Sequence, residues 1–128
     1  MEPALAALAR RYRIEPGRQE AVGRAAARLG TTPRMLRYRE RLGLIGPART
    51  RAGYRAYGSD DLLAAALAAG LEAREGVAPA AVAFALRAVA DPRLAAELRT
   101  LGGLARRDGA DALDFETRKA RRLLRLAG

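Results

Sequence analysis

Val22-Gly23-Arg24-Ala25-Ala26-Ala27-Arg28-Leu29-Gly30-Thr31-Thr32-Pro33-Arg34-Met35-Leu36-Arg37-Tyr38-Arg39-Glu40 reads as two short helices around a tight turn. The first helix is predicted over 19–29, with Val22, Ala25, Ala26 and Leu29 at the spacing of a core-facing stripe. Gly30 stops it. Thr32 is placed to cap the second helix, and Pro33 suits its first position, where a missing N–H costs nothing. That helix is predicted over 33–42, with Met35 and Leu36 turned inward and Arg34, Arg37, Arg39 and Arg41 dominating the remaining surface. Gly43 ends it, and Leu44 and Ile45 return to the core. Two helices joined by a short turn containing Gly form a helix-turn-helix pattern.

The segment that follows changes character. Ala48-Arg49-Thr50 and Tyr54-Arg55-Ala56-Tyr57 flank Arg51-Ala52-Gly53, as two short strands around a Gly-containing turn do. Tyr54 and Tyr57 are three apart, so a regular strand cannot turn both to the core; Tyr57 is the better candidate for packing. Upstream, residues 3–13 form a short helix with Leu5, Leu8 and Tyr12 on one side, ended by Glu15-Pro16-Gly17. Downstream, Ser59-Asp60-Asp61 supplies a cap and acids for a helix start. This helix should reach Ala73 and bury Leu63, Ala66, Leu67, Gly70 and Leu71. A helix over 79–90 should bury Val82, Leu86 and Val89. Asp91-Pro92 opens another through Arg106, Asp108-Gly109 breaks it, and 111–127 forms the last. The expected fold is mainly α: a helix-turn-helix with a β-hairpin wing, then C-terminal helices.

Charge is distributed unevenly along the 128 residues. The chain carries 24 basic and 14 acidic residues, and its net charge is +10. Residues 1–58 hold 13 of the bases and 4 of the acids, so the excess is concentrated in the first half. A polyanion-binding surface needs such a confined excess, whereas a solubility charge would be spread out. All but Lys119 of the basic residues are Arg, whose planar fork suits phosphates and guanine edges. Nine arginines and one acid, Glu40, lie between Arg24 and Arg55. The chain has no Cys and no His, which excludes thiolate nucleophiles, Ser-His-Asp triads and zinc fingers. Neither a metal, a cofactor nor catalysis is expected. Gly76–Leu86, the longest run without a charge, has 11 residues and is too short to span a bilayer. The apolar run Ala4–Ala9 precedes its arginines, opposite to a signal peptide, so a cytoplasmic location is expected.

Leu36-Arg37-Tyr38, Leu42-Gly43-Leu44 and Gly53-Tyr54-Arg55-Ala56-Tyr57, in this order with Asp60-Asp61-Leu62 behind them, resemble the opening of MerR-family regulators over about residues 20–90. On that basis 1–18 is an N-terminal extension, 19–90 the DNA-binding domain and 91–128 a helical segment suited to dimerisation. The resemblance implies a homodimer on a pseudo-palindromic promoter site in double-stranded DNA, with RNA polymerase as a further partner of family members that activate. It implies Arg34, beside the cap Thr32, as the base reader. Arg37, Tyr38 and Arg24 would hold phosphates, and Tyr54 and Arg55 would act in the wing, where Arg51 brackets the same turn. Arg39 departs from the pattern, since the family usually has an aromatic there. Leu94, Leu98, Leu101 and Ala105 follow the 4, 3, 4 spacing of a short seam, and Leu113, Leu123 and Leu124 could extend it. The tail bases Arg118, Lys119, Arg121, Arg122 and Arg125 fit a surface helix with cations at its C-terminal end, the alternative being extra phosphate contact. Alternatives are a non-specific architectural DNA-binding protein of the same fold, a protein-interaction adaptor, and an RNA-modifying enzyme working through carboxylates and Arg.

Overall fold

The computed structural model describes residues 2–127, with side chains for 2–106, 118 and 121–125. Two compact units make up the chain, Met1–Ala85 and Leu86–Gly128. The first contains α1 (Pro3–Tyr12), α2 (Val22–Leu29), α3 (Pro33–Arg41), the two-residue strands β1 (Ala48–Arg49) and β2 (Arg55–Ala56), and α4 (Ser59–Glu75). Helix α5 (Pro79–Ala90) begins in it, and α6 (Pro92–Ala127) lies in the second unit.

The helix-turn-helix forms as its punctuation dictates. Gly30 adopts φ 68°, a left-handed conformation open to glycine at little cost, and the chain leaves α2 there. The Met35 N–H donates to Thr32 Oγ1 at 3.1 Å, the cap expected of that threonine. The hairpin pairs Ala48 with Ala56 and Arg49 with Arg55, antiparallel. Gly53 turns it at φ 85°, with its N–H bonded to the Thr50 carbonyl at 2.9 Å.

Tyr57, Leu36, Ala25, Ala26, Ile14, Ile45, Leu62, Leu63 and Ala65 make the main core, with Leu8, Ala9 and Tyr12 of α1 packed against it. The N-terminal helix is thus built into the first unit, lying against α4. Arg13 closes α1 in a left-handed conformation at φ 54°, and its carbonyl accepts a hydrogen bond from Arg28 Nη1 at 2.9 Å. A second cluster gathers Leu44, Ala68, Val82 and Ala83.

Several sequence expectations need correction. Helix α2 starts at Val22, three residues later than predicted, because the Glu20 backbone pairs with Tyr57 instead: N–H to carbonyl at 2.9 Å one way and 2.8 Å the other. In α4, Ser59 is the first helical residue and Gly58 the cap. Asp61 closes the end by accepting from the Gly58 N–H and the Gly46 N–H, both at 3.1 Å. Of the stripe predicted for α4, Leu67 and Gly70 are exposed, while Leu62, Ala65 and Ala68 are buried. The helix is covered from two directions, by the main core and by the Leu44–Val82 cluster, so the buried arc is displaced from the predicted line. Leu86 and Val89 of α5 are likewise exposed; the buried contacts come from Val82 and its neighbour Ala83.

The largest correction concerns the C-terminal part. Asp108-Gly109 does not break the chain, and α6 runs for 36 residues through it and through Gly102-Gly103. Each interior Gly costs only about 1 kcal/mol relative to Ala, and a long run rich in Ala, Leu and Arg carries that cost through cooperative propagation. Asp91 fixes its start, accepting from the Arg93 N–H at 3.0 Å. Leu94 and Leu98 are half-buried, whereas Leu101, Leu104, Leu123 and Leu124 are exposed. The Leu113 side chain lies outside the described residues.

Candidate nucleic-acid interface

Helix α3 has two unlike faces. Arg34, Arg37, Tyr38 and Arg41 recur at steps of 3, 1 and 3, which puts them on one side of a helix. The three arginines are exposed and Tyr38 is half-buried, with the Arg41 guanidinium 5.6 Å from its ring centroid. Thr32, Arg34, Met35, Tyr38 and Arg41 surround a shallow depression. Met35, expected in the core, therefore lies at this surface, and Leu36 alone of the pair is buried.

The opposite face holds Leu36 and Arg39. Arg39 was expected among the surface arginines, yet its side chain is only 6% exposed and it forms a two-pronged ion pair with Glu72 of α4. One prong, Nη2 to Oε1, measures 2.8 Å. An inward Arg is tolerable because the carboxylate 33 positions away supplies the opposite charge. This position carries the chain's departure from the usual family pattern, and it is a structural pair, not a surface contact.

A second depression adjoins the wing and is lined by Ala21, Val22, Arg37, Arg49, Gly53, Tyr54 and Arg55. It joins Arg37 of α3 to the hairpin. Tyr54 is 73% exposed and Tyr57 fully buried, so the two tyrosines divide as their spacing required. The Tyr57 hydroxyl has no partner among the described residues, and burial raises its pKa above the ordinary value. Arg55 does not project beside Arg51: it is ion-paired with Glu40 of α3, and Arg49 lies 4.0 Å from the same carboxylate. Glu40, the lone acid among nine arginines, thus ties the wing to α3. Arg24, Arg34, Arg37 and Arg51 are exposed, and no ion pair involves them among the described residues.

Two members of this surface, Arg41 and Arg49, were not among the DNA-contact residues expected from the sequence. Arg41 was legible, being seven residues from Arg34 and so on the same helical face. Arg49 was not, because its place depends on the hairpin register.

Behind the surface, Glu20 clamps three segments. Arg28 Nε donates to its carboxylate at 2.8 and 3.0 Å, Arg18 approaches at 3.5 Å, and its backbone pairs with Tyr57. The hydrogen bond from Arg28 lowers the Glu20 pKa most; burial opposes this, and the charges of Arg28, Arg18 and Arg24 reinforce it. A lowered folded-state pKa contributes stability that is fully present above the ordinary value of 4.5 and is lost as pH falls through the folded value. Glu20→Gln is expected to be less stable than the parent at pH 7 and to lose less further stability on acidification below pH 4.5. Urea unfolding at stepped pH measures this; parallel acid limbs in the two proteins would refute the assignment.

Against this geometry the comparisons are specific. Residues 22–57 match the family described as MerR family regulatory protein. The match covers the helix-turn-helix and the wing, 36 of the 128 residues, and that segment is similar to the family. A 42-residue stretch is 45% identical to the Heavy metal-dependent transcription regulator 2 of Rhizobium meliloti (strain 1021). That stretch is 32% of this chain and 29% of the relative, so the chain matches less than a third of that regulator's length. No solved structure matches the chain. The matched segment has its helix-turn-helix in α2 and α3 and its wing in the β1–β2 hairpin. Among the described residues, no helix is long and apolar enough to cross a membrane.

Proposed function

We propose that this chain is a cytoplasmic transcription regulator that binds a pseudo-palindromic site in double-stranded DNA as a homodimer. The observation that carries the reading is the sorting of arginines on α3. The inward one is neutralised by Glu72, while Arg34, Arg37 and Arg41 share one exposed face without acidic partners among the described residues. Arg34 stands at the second helical position, from which side chains of a recognition helix reach base edges in the major groove. Arg37 and Tyr38 behind it, Arg24 on α2, and Arg49, Arg51 and Tyr54 on the wing supply phosphate contacts, which set orientation and carry no sequence information. Arg55 acts through Glu40, holding the wing against α3. RNA polymerase is the further partner on the same promoter DNA.

The test is selection of bound duplexes from a random pool, followed by Arg34→Ala on the selected site. The expected selection is an inverted repeat. The substitution should cost about 1–3 kcal/mol and relax preference at a single base pair in each half-site. Equal weakening on all sequences, with no repeat in the pool, would instead assign the fold to non-specific, architectural binding.

A further inference from the structure

Arg118, Arg121, Arg122 and Arg125 form a second arginine surface at the far end of α6. They recur at steps of 3, 1 and 3, the same spacing as Arg34, Arg37, Tyr38 and Arg41 on α3, and so occupy one side of the helix, within about 100° of arc. All four are exposed and together line a common depression. No ion pair involves them among the described residues. The favourable interaction of cations with a helix C-terminus falls off within the last turn, and that turn holds only Arg125. The helix dipole therefore accounts for Arg125 and not for the other three. Nor is the stripe a balanced solvated face, because residues 118–125 contain five bases and no acid.

We infer that this stripe is a second anion-binding surface, and that its ligand is the phosphate backbone of duplex DNA. Like charges crowded on one helical face repel one another, and an external polyanion relieves the repulsion. Guanidinium forks pair with phosphate oxygens bidentately, and duplex DNA offers a charge about every 1.7 Å along its axis. The exposed leucines of the same segment, Leu123 and Leu124, fall outside the arginine arc, so the stripe has no apolar centre of the kind a protein partner's hot spot uses. The stripe lies on α6 and the exposed arginine face described above on α3, so the two surfaces share no element. The proposal shares its ligand class with the function proposed above but none of its residues.

The experiment compares the full-length chain with the quadruple variant Arg118→Gln, Arg121→Gln, Arg122→Gln, Arg125→Gln on random-sequence duplex over a salt series. Gln keeps helix propensity close to that of Arg, and circular dichroism confirms the helix. Four lost phosphate contacts should flatten the plot of log affinity against log salt by about three to four, at roughly 0.9 per contact. The matching quadruple Lys variant should keep the parental slope. An unchanged slope in the Gln variant overturns the inference, as does an equal loss in the Lys variant, which would mean packing rather than charge. Arg34→Ala with Arg37→Ala keeps the failures apart. If that pair leaves DNA affinity unchanged, the winged-helix reading fails while the stripe is judged by its own slope.

Discussion

Arg39→Ala is expected to destabilise the first unit by about 3–5 kcal/mol, the usual cost of removing one partner from a buried ion pair. The Arg39 and Glu72 side chains are 6% and 13% exposed, so the truncation strands a carboxylate that water barely reaches. It also separates α3 from α4, since this pair links elements 33 positions apart. The cost lies in the uncompensated charge and not in a large net value of the pair itself. Arg39→Met with Glu72→Leu should therefore recover most of the loss, because replacing both partners by apolar groups is often neutral or stabilising. Urea unfolding of the two variants against the parent decides it. If the single variant loses under 1 kcal/mol, or the double variant is no better than the single, the pair is not the fixture of α3 described above. Arg39 contributes nothing to the exposed face of α3, so binding by the fraction that remains folded should be unaffected.

Leu101→Glu is expected to abolish the proposed dimer and, with it, about 10²- to 10⁴-fold of affinity for a site with two half-sites, the gain that linking two binding modules confers. Leu101 and Leu104, 61% and 54% exposed, are three apart on α6 and so share one face, which is the surface offered to a second copy. Leu94 and Leu98, also expected in the seam, are half-buried within the chain itself. A charge at 98 would therefore perturb the protomer more than a charge at 101, which is 61% exposed. Sedimentation at micromolar concentration without DNA, together with helix content, separates these effects. A parent that is already monomeric, or a folded variant that stays dimeric, would remove α6 from the assembly.

Some of this protein was decided by the sequence alone because the forces concerned act over a few residues. Gly30 and Gly53 accept positive φ, Thr32 lies three residues from the N–H it caps, and Pro33 needs no donor. The helix-turn-helix, the wing and the separation of Tyr54 from Tyr57 were legible for that reason, and so was the confined positive charge. Which arginines remain available was not legible. Arg28, Arg39 and Arg55 are held by acids 8, 33 and 15 positions away, and nothing local distinguishes them from Arg34, Arg37 or Arg51. The side of α4 that is buried depended on two clusters converging on it, so Leu67 looked like core and is not. The continuity of α6 followed from the summed propensity of 36 residues, against which the expected break at Asp108-Gly109 weighed too little. Short-range backbone chemistry specified the elements; the pairing of charges and the direction of burial were fixed only when distant segments met.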